Sequence, residues 1–178
     1  ADEEEILASW HGFTGEEKQP FEAEAGAKAK AGKRAGRATS EGSVGIALSG
    51  ASAGLVELGC ETDFVAKTDD FKGLAKEIAL HIASQAPISV SPKDIPEEVV
   101  ERERRVYAEQ AKEQGKPDNI AQKIVDGKLN KFFKESTLLA QPFVKNPDQT
   151  VGEMITEMSA KTGEKIEVAR FMRFKVGE

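Results

Sequence analysis

Between Ser43 and Cys60 apolar residues recur at every second position, and from Thr68 onward the spacing lengthens to three and four. The first pattern is that of pleated strands and the second that of an amphipathic helix. Ser43–Ser49 and 54–60 are expected to form a hairpin around Gly50-Ala-Ser-Ala-Gly54. Val44, Ile46 and Leu48 share one face of the first strand, and Val56, Leu58 and Cys60 share one face of the second. Gly45, Ala47 and Gly59 lie on the opposite face, where small residues allow another layer to come close. Thr68 is placed to cap a helix reaching about Gln85, with Phe71, Leu74, Ala75, Ile78 and Ile82 as its buried stripe. His81 sits on the flank of that stripe and reads as a partly buried structural histidine, with a contact role as the alternative.

Three prolines make 87–96 a linker, and Pro96 is placed to open the next helix. Two helices of similar length, 97–114 and 118–135, are separated by Gly115-Lys-Pro117, which predicts an antiparallel helical hairpin. The first arm is poor in apolar residues and can bury only a narrow seam, so the hairpin should project from the body. A short helix at Val151–Lys161 is stopped by Gly163. A last strand spans 165–176, apolar at Ile166, Val168, Met172, Phe174 and Val176. Phe171 breaks that alternation.

The expected fold class is therefore α+β: a small three-stranded antiparallel sheet of 43–49, 54–60 and 165–176, flanked by helices, with the hairpin 97–135 projecting. The chain divides into an atypical N-terminal segment (1–27), a basic helical linker (28–42), a core sheet and helix (43–96), the hairpin (97–135), and a closing helix and strand (136–178). Ile6, Leu7, Trp10, Phe13 and Phe21 could form a small apolar cluster within 1–27, although the surrounding Gly, Glu and Pro20 argue equally for loose structure.

Charge narrows the function classes. The 178 residues carry a net charge of −6, with a pI near 5.2. A general nucleic-acid binder would usually be basic. The basic run Lys28–Arg37 is the one local exception and reads either as a contact or as a solvated helical linker. A single cysteine, Cys60, excludes an internal disulfide and fits a reducing compartment. It reads as a small apolar filler rather than a reactive thiol. No apolar run reaches the ~18 residues of a membrane span. No signal peptide is expected behind the acidic start Asp2-Glu-Glu-Glu5, and the opening Ala1 suggests processing or a fragment.

Catalytic constellations are missing from the sequence. His11 and His81 lack metal-ligand spacing, no phosphate loop with a following Lys-Ser/Thr exists, and Cys60 has no histidine near it. No enzyme and no cofactor is expected. What stands out is Leu55-Val-Glu-Leu-Gly-Cys60-Glu-Thr-Asp-Phe64-Val-Ala-Lys67, where a strand runs directly into a helix. That order sets Asp63 and a large ring, Phe64, side by side at a corner. From the residues alone, Asp63 capping a turn and Phe64 lying in the core remain an alternative.

Six ordered blocks resemble the elongation factor Ts family. They are Ala29–Arg37 with Glu41-Gly42, Glu61-Thr-Asp-Phe-Val-Ala66, Ala79-Leu-His81-Ile-Ala83, Gly115-Lys-Pro117 with Ile120–Gly127, Gln141-Pro-Phe-Val144, and Arg170-Phe-Met-Arg-Phe174. The resemblance spans about 28–178 and implies guanine-nucleotide exchange on the GTPase elongation factor Tu. It implies that Phe64 inserts near the Mg²⁺ and phosphate site of the GTPase and that Asp63 perturbs its surroundings. Thr62, Val65 and Ala66 would shape the corner, with His81 and Gly163 as further support. With the acidic charge and the lack of a long apolar run, no direct nucleic acid and no membrane are expected, and the resemblance implies a cytoplasmic or organellar-matrix setting. The chain departs from the family pattern in 1–27, which lack the Thr-Gly-Ala-Gly segment of its N-terminal domain. It also lacks the histidine that many relatives carry between the first two strands. Longer members resemble a duplicated sheet core, whereas this chain has one copy. A homodimer stacking two sheets through a second face carrying Phe171 and the small residues is therefore expected. Alternatives from other classes are a ribosome- or RNA-associated structural protein using 28–37, and a small enzyme.

Overall fold

The computed structural model describes residues 32–178. The apolar cluster expected in 1–27, His11 and the start of the basic run lie outside the described residues. Elements follow in the order β1 (Glu41–Ser49), β2 (Ser52–Cys60), α1 (Asp63–Ala66), α2 (Asp69–Gln85), α3 (Glu97–Glu113), α4 (Asp118–Ser136), β3 (Pro142–Phe143), β4 (Asn146–Thr150), α5 (Val151–Thr162) and β5 (Glu167–Lys175). The main sheet has the order β1-β2-β5, antiparallel throughout, and β3-β4 form a separate two-stranded ribbon. This is the α+β architecture that the periodicity predicts.

The first hairpin is tighter than its sequence suggests. Ser49 pairs directly with Ser52, leaving a two-residue turn in which Gly50 takes φ 57°. A glycine at the first turn position supplies the left-handed backbone that a two-residue hairpin needs. The register then sets Gly45 opposite Val56 and Ala47 opposite Gly54, while Ile46 faces Leu55 and Leu48 faces Ala53. Directly opposed residues share a face, so the small residues of β1 lie with the core residues of β2.

That register reverses the expectation for the uncovered face. α2 packs on the face of Gly45, Gly54, Val56 and Leu58, and Val56, Leu58 and Cys60 are fully buried beneath it. Phe171 turns toward this same core. Val44, Ile46, Leu48, Met172, Phe174 and Val176 are the residues left exposed. The physical reason is approach distance. A Cβ at Gly45 would collide with the Ala75 carbonyl, and one at Gly54 with the Ala79 carbonyl. Only a glycine face lets the Ala75–Ala79–Ala83 stripe of α2 lie directly on the strands.

A bulge explains the mixed pattern of β5. Glu57 pairs with Arg170 but Leu58 pairs with Val168, so Ala169 is left over. The extra residue flips the alternation. Ile166 and Val168 face the core before it, and Phe171 does so after it, while Met172 and Phe174 turn outward.

Helix ends follow their local chemistry. The Thr68 hydroxyl accepts the Phe71 N–H at 3.2 Å, and Thr150 with Glu153 forms a reciprocal capping box on α5. α5 ends at Gly163 with φ 73°. α3 and α4 pack on one another and leave the body as an antiparallel hairpin joined by Gly115-Lys116-Pro117, with Ala111, Val125 and Leu129 as its narrow seam.

Candidate functional site

β2 ends at Cys60, and the chain turns through Glu61-Thr62 into the four-residue helix α1 before α2 begins. Thr62 caps α1: its hydroxyl accepts the Val65 N–H at 3.4 Å, and its carbonyl accepts the Ala66 N–H at 3.2 Å. With about 100° between successive residues, a single turn must face two ways. Ala66 is buried, and Val65 packs against the core. Asp63 and Phe64 therefore point away from the body, and Phe64 is 81% exposed. Phe64 is thus not a core residue, and Thr62 rather than Asp63 is the cap. The turn's cap and the inward packing of Val65 and Ala66 thus set the Phe64 ring out in solvent.

Asp63 carries a local counter-ion. Lys67, one turn on, donates to its Oδ2 at 2.6 Å. That hydrogen bond and the lysine charge hold the carboxyl below the usual aspartate range.

The corner is gripped from the far end of the chain. Glu164 accepts the N–H groups of Glu61 and Thr62 through Oε1 at 3.0 and 2.9 Å, and the Thr62 hydroxyl donates to its Oε2 at 2.6 Å. Glu61 Oε1 in turn accepts the Lys165 N–H at 2.6 Å and Arg37 Nη1 at 3.3 Å. The Lys165 amide is the main cause holding the Glu61 carboxyl below its ordinary value. Gly163 immediately precedes this grip, and its carbonyl accepts Arg37 Nη1 at 3.5 Å. Arg34 Nη1 donates to the Ser159 carbonyl and hydroxyl at 3.1 and 3.0 Å. Arg34 and Arg37 thus set their guanidinium groups against the negative end of α5, while Lys33 and Arg37 stay exposed. Cys60 lies buried beneath the corner, and burial pushes its thiol up from the usual range.

His81 lies elsewhere. It has no exposed surface. Its Nδ1 accepts the Val144 N–H at 3.1 Å, and its Nε2 pairs with Gln141 Oε1 at 2.8 Å. An accepting Nδ1 requires a proton on Nε2, so the neutral imidazole is the form that fits. Burial lowers its pKa from the usual 6.5. A lowered folded pKa means that the unfolded chain binds the proton more tightly. The stabilising contribution is then complete above pH 6.5 and falls as the pH drops through that value toward the folded pKa. Thermal melts at pH 7.5 and 5.5 should show a loss of stability on acidification that His81→Phe reduces. The carboxylates with lowered pKa values act in a lower, separate window.

Sequence reasoning missed Glu164 and gave Glu61 no role of its own. No local signal marks either residue, because their partners lie 102 and 104 positions away. Among the described residues no group of His, Cys, Asp and Glu is arranged to hold a metal ion, and no helix is long and apolar enough to cross a membrane.

Comparison with known proteins places the chain in a family. The family model described as Elongation factor TS matches residues 72–178. The chain is 53% identical over 152 residues to Elongation factor Ts of Desulfosudis oleivorans, covering 84% of this chain and 77% of that protein. Elongation factor Ts of Carboxydothermus hydrogenoformans is 51% identical over 84% of this chain and 70% of its own length. That of Desulfotalea psychrophila is 53% identical, with 84% of this chain and 76% of the relative covered. On these matches the chain belongs to the elongation factor Ts family of translation elongation factors.

Proposed function

We propose that this chain is a nucleotide-exchange factor that promotes GDP release from elongation factor Tu, with Asp63 and Phe64 as the working end. The observation that carries the reading is Phe64, 81% exposed on a turn fixed by its own cap and by Glu164. GDP is held in such a GTPase through phosphate-loop amides and a Mg²⁺ ion. A rigid ring pushed between elements near that site, with a carboxylate beside it, displaces the surroundings on which the ion and phosphates depend. A ring suits the task because it buries much area at little entropic cost. Coupling is reciprocal, so incoming nucleotide expels the factor, which turns over without bond chemistry. Thr62, Val65 and Ala66 shape the corner. Gly163 supports it by ending α5 just before Glu164, and His81 supports the core by fixing the β3 turn on α2. The chain acts where its GTPase acts, in a cytoplasm or an organellar matrix, and no direct contact with nucleic acid or membrane is part of the reading. Release of a fluorescent GDP analogue from elongation factor Tu, measured with and without the chain, tests it. Unchanged release would sink the exchange role.

The open sheet face supports a homodimer. Ile46, Leu55 and Met172 form one row across the three strands, Leu48, Ala53 and Phe174 a second, and the Glu57–Arg170 ion pair at 2.6 Å closes one end. Two such faces stacked about a two-fold axis would bury these rows against each other. Light scattering should give twice the 19.2 kDa chain mass. Ile46→Glu with Met172→Glu should give the monomer. A clean wild-type monomer at micromolar concentration would remove the idea.

A further inference from the structure

The Phe64 turn is held on its inner side by the packing of Val65 and Ala66, and its entry is held by what fixes Thr62. The Thr62 hydroxyl holds Val65 through a long bond of 3.4 Å, and Glu164 fixes that hydroxyl with a bond of 2.6 Å. A carboxylate can accept several donors at once and makes charge-assisted bonds, roughly twice as strong as neutral ones. Glu164 takes three donors here, two amides and the hydroxyl. Its own backbone is tied down as well. Its carbonyl accepts the Ser159 hydroxyl at 2.6 Å, and its N–H meets Thr162 Oγ1 at 3.3 Å. Glu61 returns the grip on the Lys165 amide, so the corner and the segment after α5 lock each other in both directions.

We propose that Glu164 is a positioning residue for nucleotide exchange: through Thr62 it holds Asp63 and Phe64 in their presenting geometry before the GTPase is met. The proposal rests on the exchange reading above. Ordering a backbone segment costs free energy, and a turn ordered in advance does not charge that cost to binding. Glu164 acts through the turn and not on the nucleotide.

Three variants separate the possibilities: Glu164→Ala removes every bond, Glu164→Asp keeps the charge but shortens the reach, and Glu164→Gln keeps the reach and an acceptor oxygen. Amide hydrogen exchange in the free protein reports the turn at Val65 and Ala66, with the α2 amides as internal reference. Stimulated GDP release at sub-saturating factor reports the consequence. With Glu164→Ala and Glu164→Asp, turn protection and release efficiency should both fall by about tenfold while α2 protection stays. Glu164→Gln should restore much of both. Unchanged turn protection in Glu164→Ala would overturn the proposal, as would lost protection with wild-type release. If the unmodified chain accelerates no release, the exchange reading falls and takes the exchange role of Glu164 with it. The protection data then still decide whether Glu164 holds the turn.

Discussion

Phe64→Ala should lower the rate constant of stimulated GDP release by about 30-fold or more, the scale of one central aromatic anchor worth ~2 kcal/mol. The fold should not notice. With Phe64 81% exposed, no core contact is lost, and the melting temperature should stay within the change expected of an ordinary surface substitution. That contrast makes the experiment decisive, because a defect in release with intact stability cannot be blamed on unfolding. Phe64→Leu should retain part of the effect, since it keeps apolar area but not the rigid ring. Asp63→Asn would remove the charge and weaken the pairing with Lys67 while leaving the ring in place, so it isolates the carboxylate's share. Wild-type acceleration by Phe64→Ala would keep the function and move the work to other contacts.

Gly54→Ala should destabilise the protein by about 3 kcal/mol, the upper end of overpacking, because α2 lies directly on that position. The added methyl would run into the Ala79 carbonyl and come within 2.9 Å of the Ala83 amide, both parts of a helix backbone that cannot step aside alone. For a chain of this size that is a fall of roughly 10 °C in melting temperature. The same change at Gly73 should do the opposite. Gly73 lies within α2, and a Cβ there meets nothing within 4 Å. Replacing it with alanine should raise stability by about 0.5–1 kcal/mol, through the lower entropy of the unfolded chain and better helix propensity. Thermal or urea melts of the two variants side by side check the argument, and a Gly54→Ala protein as stable as wild type would refute the close-packed glycine face.

Much of this molecule was legible residue by residue. Thr68 before an apolar stripe spaced at three and four marked α2 and its start, because capping acts within one turn. Gly115-Lys116-Pro117 marked the break between the hairpin arms, and Gly163 the end of α5. The Thr62-Asp63-Phe64 corner was also visible, since a strand pattern ending where a helix pattern begins leaves few places for the turn. What could not be read was which way Phe64 points. An exposed ring and a buried one have the same sequence, and only the packing of Val65 and Ala66 inward settles the choice.

By itself, then, the sequence determined the long helices and the three main strands, the Thr68 cap, the breaks at 115–117 and Gly163, the α+β class and, through its motifs, the family, but not the β3–β4 ribbon or the Thr62 cap. Those signals are local: they act between residues a few positions apart and need no knowledge of the rest of the chain. Tertiary structure alone decided the two-residue turn at Gly50, and with it the parity that puts Gly45 and Gly54 under α2 and Ile46 and Leu48 in the open. It also decided the bulge at Ala169 that sends Phe171 inward, the burial of His81 against Gln141, and the reach of Glu164 to Thr62. The reason is common to all four. Strand register, helix approach and long-range hydrogen bonds depend on surfaces that exist only once distant segments have met, and in a strand a one-residue shift exchanges the inside for the outside.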